Sequence, residues 1–110
     1  MDYSMQSKYD SDGNYWLITI TGEIDIFNSQ DFKTVLLNLI EEKEINIKID
    51  CENLKYIDST GLAALIAVLK RTKEYNGEIT LLRPKANLEK LFKITNLDKV
   101  FNIEGDENEQ

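Results

Sequence analysis

The chain of 110 residues contains no histidine, a single cysteine, one proline and five glycines. Each scarcity removes a class of chemistry. Cys51 has no second cysteine to pair with, so no intrachain disulfide forms, and without histidine an ordinary zinc site lacks its usual ligands. The same absence deprives a serine nucleophile of its commonest base. With so few glycines and prolines, the composition is neither fibrous nor disordered. No apolar run approaches the roughly 18 residues of a membrane span, and the opening MDYSMQSKYD lacks the basic and apolar regions of a secretory signal. The cytosol is therefore the expected compartment, with no membrane partner. Positive charge is also short: 13 Lys and Arg stand against 20 Asp and Glu, a net charge of -7. Nucleic acid or an anionic membrane surface would repel such a chain, and a basic or neutral protein patch suits it better.

The composition, 42% apolar and 30% charged, fits one globular domain. Trp16, Ile18 and Ile20 alternate with Leu17 and Thr19, which predicts a strand; Asp12-Gly13 before it predicts a hairpin with a short strand around Ser7 to Asp10. Gly22 to Asp25 reads as a loop. Asn28 with Asp31 three residues on reads as a capping-box variant opening a helix, whose core face is Phe32, Val35, Leu36, Leu39 and Ile40. Ile45, Ile47, Ile49 and Cys51 alternate with polar residues as a second strand. A further helix carries Leu62, Leu65, Ile66 and Leu69, ends in Lys70, Arg71 and Lys73, and stops at Asn76-Gly77. Glu78 to Leu82 is a strand, and a helix from about Asn87 has the face Leu88, Leu91, Phe92 and Thr95. Asn96 suits a left-handed cap, and Val100 to Ile103 returns to the sheet. The pattern predicts an α/β fold: a mainly parallel, mixed sheet of four or five strands with an antiparallel hairpin edge, and helices mainly on one face. Residues 1–104 form the domain, and 105–110 form an acidic, mobile tail.

The segment YIDSTGLAALIAVLKR, residues 56–71, places small polar residues at the mouth of an apolar helix. It is not a hydrolase elbow, because Ile57 and Gly61 flank Ser59 where G-x-S-x-G demands two glycines, and it is not a phosphate-binding P-loop. Asp25, Asp50 and Asp58 all fall near predicted strand ends, where they either hold a magnesium-like cation or simply cap turns and helices. Ser59 has two compatible readings. It belongs to a helix cap, and it is a hydroxyl where an added phosphate would meet a helix N-terminus.

Three segments, GEID (22–25), YIDSTGLAALI (56–66) and LFKITNLDKVF (91–101), resemble the signature segments of the STAS domain, and in particular the small stand-alone anti-sigma-factor antagonists of bacteria. The resemblance spans nearly the whole chain in order. It implies that Ser59 is phosphorylated by an anti-sigma factor that is also a serine kinase. It further implies that the unmodified form binds that kinase and frees the sigma factor, and that a PP2C-type phosphatase resets the switch. Asp25, Asp58, Ser59, Thr60 and Gly61 fall at the implied partner surface. No catalytic residue, cofactor or metal is implied. Asn96 stands where relatives often carry glycine. A STAS domain serving a stress-sensing or lipid-transport assembly is an alternative, and a phosphate-handling enzyme or receiver domain is a more distant one.

Overall fold

The computed structural model describes residues 3–105. Its elements run β1 (Tyr3–Asp10), β2 (Tyr15–Ile24), α1 (Ser29–Glu42), β3 (Asn46–Ile57), α2 (Ser59–Lys73), β4 (Ile79–Leu82), α3 (Ala86–Ile94), a 3-10 turn (Leu97–Lys99) and β5 (Asn102–Glu104). The five strands lie in the order β1-β2-β3-β4-β5, with β1 antiparallel to β2 and every later pair parallel. Each parallel crossover therefore advances one place in the same direction. Right-handed connections then put each helix on the same face of the sheet. The buried residues agree: Trp16, Ile18 and Ile20 of β2, Ile47, Ile49 and Cys51 of β3, and Ile79 and Leu81 of β4 share one cluster with Phe32, Leu36, Leu65, Val68, Leu88 and Phe92 of the helices. The mixed sheet with helices on one face is the architecture expected.

Several boundaries differ from the sequence expectation. β1 starts at Tyr3 rather than near Ser7, because its alternate residues Tyr3 and Met5 pack against the core while Met5 pairs with Ile20. The GEID segment is not a loop, since β2 continues through Ile24 in register with Ile57, and β3 correspondingly runs to Ile57. No capping box forms at α1: Asn28 occupies the N-cap position without a side-chain cap bond, because its amide is used elsewhere. On α2 the buried stripe is Ala64, Leu65, Val68, Leu69 and Thr72, so Leu65 and Leu69 face the core as expected, while Leu62 packs at its margin and Ile66 is half-buried outside it. Thr95 is exposed, and its hydroxyl donates to the Leu91 carbonyl at 2.8 Å instead of packing inward. Asn96 does take the left-handed conformation, with φ 62°. Of the acidic segment expected to be a mobile tail, residues 106–110 lie outside the described residues.

The end of the molecule remote from Ser59 is pinned by polar contacts to the α1–β3 connection. The Trp16 indole donates to the Lys43 carbonyl at 3.2 Å, the Tyr75 hydroxyl donates to the Ile45 carbonyl at 2.8 Å, and Arg71 pairs with Glu44 of that connection as well as with Glu41 of α1 and Glu74 just past α2. On the helix-free face Arg83 pairs with Asp50 at 2.6 Å.

Cys51 sits in the core, where burial first and the nearby Asp50 charge second push its thiol up to about 12 from 9.0. A thiol held neutral by the fold favours the folded state fully below the unfolded value, and that advantage is lost as pH rises through the folded one. Native protein at pH 8 is expected to resist a thiol-reactive dye and to label fully in denaturant; rapid labelling of the native form would contradict the buried placement.

Candidate functional site at the N-terminus of α2

The site begins with the last rung of the β2–β3 ladder. Ile24 and Ile57 are paired, and the Asp58 N–H donates to the Ile24 carbonyl at 3.1 Å. This brings the β2–α1 loop beside the turn into α2. Asp58 is the N-cap: its Oδ1 accepts from the Thr60 N–H at 3.0 Å, the Gly61 N–H at 3.0 Å and the Thr60 hydroxyl at 2.6 Å. Those bonds favour the ionised form. The Thr60 hydroxyl, then the Gly61 amide, hold the Asp58 carboxyl below the ordinary carboxylate range, with lesser help from the Thr60 and Ile26 amides.

Gly61 is needed for space. A Cβ there would lie 2.5 Å from Ile57 Cγ1 and 2.8 Å from Ile24 Cγ2, and both isoleucines are themselves buried and cannot swing aside. Ser59, the first residue of α2, is exposed, and among the described residues its hydroxyl makes no hydrogen bond, whereas that of Thr60 is committed to Asp58. Of the two neighbouring hydroxyls, Ser59 is the available one.

Asp25 lies on the adjoining loop and is buried. Its Oδ1 accepts from the Phe27 N–H at 2.9 Å, its carbonyl accepts from the Ser29 N–H at 2.8 Å, and its own N–H donates to Asn28 Oδ1 at 2.9 Å. The Asn28 amide also donates to the Glu23 carbonyl at 2.9 Å. Asp25 thus shapes its own loop and makes no bond to the 58–61 turn, while its Oδ2 is buried without a partner. Asp50 is far along β3 in its pair with Arg83, so the three aspartates do not converge, and no metal-ligating cluster occurs among the described residues.

The braced loop presents two residues that the sequence reading passed over: Ile26 is 67% exposed and Phe27 85%. A signal was present, since both are apolar, follow an aspartate and precede the helix off its 3.6-residue period. Ile26 also borders a shallow groove between α1 and α2, with Ser29, Gln30, Lys33, Thr60, Ala63 and Ala64. Ala64 packs inward and Ala63 faces solvent along this groove.

The STAS domain family model matches residues 7–110. The chain belongs to the STAS-domain family. Among curated relatives, it is 30% identical over 111 residues to an anti-sigma-B factor antagonist of Listeria monocytogenes, covering 98% of this chain and 96% of the relative. An anti-sigma-B factor antagonist of Staphylococcus aureus is 28% identical over 96 residues, 86% of this chain and 89% of the relative. Among solved structures, a putative anti-sigma factor antagonist from Thermotoga maritima superposes with a TM-score of 0.83 at 23% identity, covering 96% of this chain and 89% of that one. The phosphorylated form of SpoIIAA, a Bacillus cell fate determinant, superposes with a TM-score of 0.73 at 19% identity over 96% of this chain and 95% of that one. These likenesses share the fold. No helix among the described residues is long and apolar enough to cross a membrane.

Gly61→Ala is expected to cost about 1–3 kcal/mol, as overpacking does, a loss that the modest gain in helix propensity does not cancel. Denaturant unfolding measures it, and an unchanged midpoint would show that α2 has room to move. Asp58→Ala is expected to lower Tm at neutral pH. Because the folded carboxyl titrates below its unfolded value, the cap's contribution is complete above the ordinary carboxylate range and is lost as pH falls through the lowered value. The Tm gap between wild type and variant should therefore close in acid.

Proposed function

We propose that this protein is an anti-sigma-factor antagonist in which Ser59 is the phosphorylated switch. Unmodified, it binds an anti-sigma factor that is also a serine kinase, and the sigma factor is released; a PP2C-type phosphatase removes the phosphate and restores binding. The observation that carries the reading is the exposed, unbonded hydroxyl of Ser59 on a turn fixed by Asp58, Thr60 and Gly61. A kinase needs an accessible hydroxyl in a defined place, and this turn offers one. The names of the curated relatives point the same way. Asp25 belongs to the partner surface through the loop it braces, and Ile26 and Phe27 add apolar contact area beside the switch. The role is that of a binding module and not an enzyme: the chain has no histidine, and no side-chain base is bonded to Ser59 among the described residues. Its place of action is the cytoplasm, with no nucleic acid or membrane as partner.

The charge change is large enough to act as a switch. A phosphate brings about 1.5 to 2 negative charges. Burying that charge against a surface built for a neutral hydroxyl costs of order 2–5 kcal/mol, which is roughly 30-fold to several thousand-fold in affinity.

The test is reconstitution with the anti-sigma kinase of the source cell. Incubation with ATP should phosphorylate Ser59, as read by mass spectrometry, and release the complex. Ser59→Ala should bind and stay bound with ATP, and Ser59→Asp should bind more weakly than wild type. ATP-driven release of the Ser59→Ala variant would show that the switch lies elsewhere, and capture of an unrelated assembly instead of a kinase would favour a different STAS role.

A further inference from the structure

We propose that Asp58 keeps the phosphoryl group of modified Ser59 out of the N-terminus of α2, so that the phosphate faces solvent instead of being absorbed by its own helix. The inference rests on Ser59 being the modified residue. A helix N-terminus ordinarily attracts a phosphate through its unpaired N–H groups. Here the amides of Thr60 and Gly61 already donate to Asp58 Oδ1, and the Thr60 hydroxyl adds a bond of 2.6 Å to the same atom. Two anions would compete for the same donors. For the phosphate to take the Thr60 and Gly61 amides, Asp58 must give up its bonds to them and still remain beside it as a like charge. With the carboxylate in place, the phosphate is repelled from the cap and projects from the exposed first residue of the helix.

Among the described residues, Asp58 is bonded within the turn, Asp25 braces the adjoining loop without a bond to the turn, and Lys33 of α1 lies across the groove that Thr60 also lines. Asp58 is adjacent to Ser59 in the chain and bonded within its turn, whereas Lys33 reaches the turn from the neighbouring helix. An outward phosphate is also the form in which a hydrolase can reach it and a docking partner must confront it. The cap residue thereby sets both how reversible the modification is and how strongly it is felt.

Phosphoserine encoded directly at position 59 gives the full modified chain without any kinase, so this test stands apart from the reconstitution above. A phosphorus NMR titration should place the second phosphate pKa about half a unit above the value of about 6 seen in an unstructured peptide, because the neighbouring carboxylate disfavours the dianion. Asp58→Asn, which keeps a capping oxygen and removes the charge, should bring it back toward the peptide value. The Thr60 and Gly61 amide resonances of the modified wild type should stay close to those of the unmodified protein. A phosphate pKa at or below the peptide value, a raised pKa that Asp58→Asn leaves unchanged, or Thr60 and Gly61 amides that move strongly downfield and titrate with the phosphate would each overturn the proposal.

Discussion

The candidate site depends on one constraint, the parallel pairing of β2 with β3 out to the Ile24–Ile57 rung. That rung fixes where two loops leave the sheet, and the bond from the Asp58 N–H to the Ile24 carbonyl ties them together. Once the two isoleucines are seated, α2 can approach them only if its third residue has no side chain, which is why Gly61 stands there. The height of α2 above the sheet then sets the position of the cap, and the cap sets which hydroxyl is bound and which is free. A hydrophobic contact two residues away thus decides the accessibility of a serine.

The division of labour within the 58–61 turn follows from ordinary capping chemistry. Asp58 has the extended backbone conformation of an N-cap, φ -97° and ψ -173°, and its carboxylate reaches the second and third helical amides. Thr60 adds its hydroxyl to the same oxygen. Ser59 takes the first helical position, and its hydroxyl makes no bond to that oxygen. The turn is therefore complete without the serine hydroxyl, and a group attached there leaves its bonds formally intact.

Much of this was legible in the sequence, because the relevant periods are long and clean. The alternation of Trp16 to Ile20 and of Ile47 to Cys51, and the apolar stripe of α2, gave the order of strands and helices, and from that order the topology follows. The ends of elements were less legible. GEID looks like a loop because Gly22 and Glu23 interrupt the apolar alternation, yet register shifts in the β2–β3 ladder let the strand absorb them and continue to Ile24. Asn28 looks like the side-chain cap of α1, but its amide is drawn to the loop before it, a competition between two short-range partners that spacing alone does not decide. The roles within DSTG were likewise undivided in the sequence, since Asp, Ser and Thr are all good caps. Backbone geometry separates them. Ile26 and Phe27 escaped notice because isolated apolar residues in loops are common, and only the network of Asp25 and Asn28 beneath them shows that their exposure is built in.

The one-directional strand order also bears on how the chain acquires and loses its structure. The β2-α1-β3 unit makes the central ladder, and each later unit is laid on an edge that already exists. The last, α3 with β5, is attached by a three-residue strand and by few buried side chains, chiefly Leu88, Phe92 and Phe101, with the rings of Phe92 and Phe101 edge to face at 5.6 Å. Units held by so little apolar surface open at a lower free energy than the rest. Amide hydrogens there are expected to exchange through local opening, and those of β2 and β3 only on wider unfolding. The α2 cap is tied to the central unit through the bond from the Asp58 N–H to the Ile24 carbonyl, outside the trailing unit.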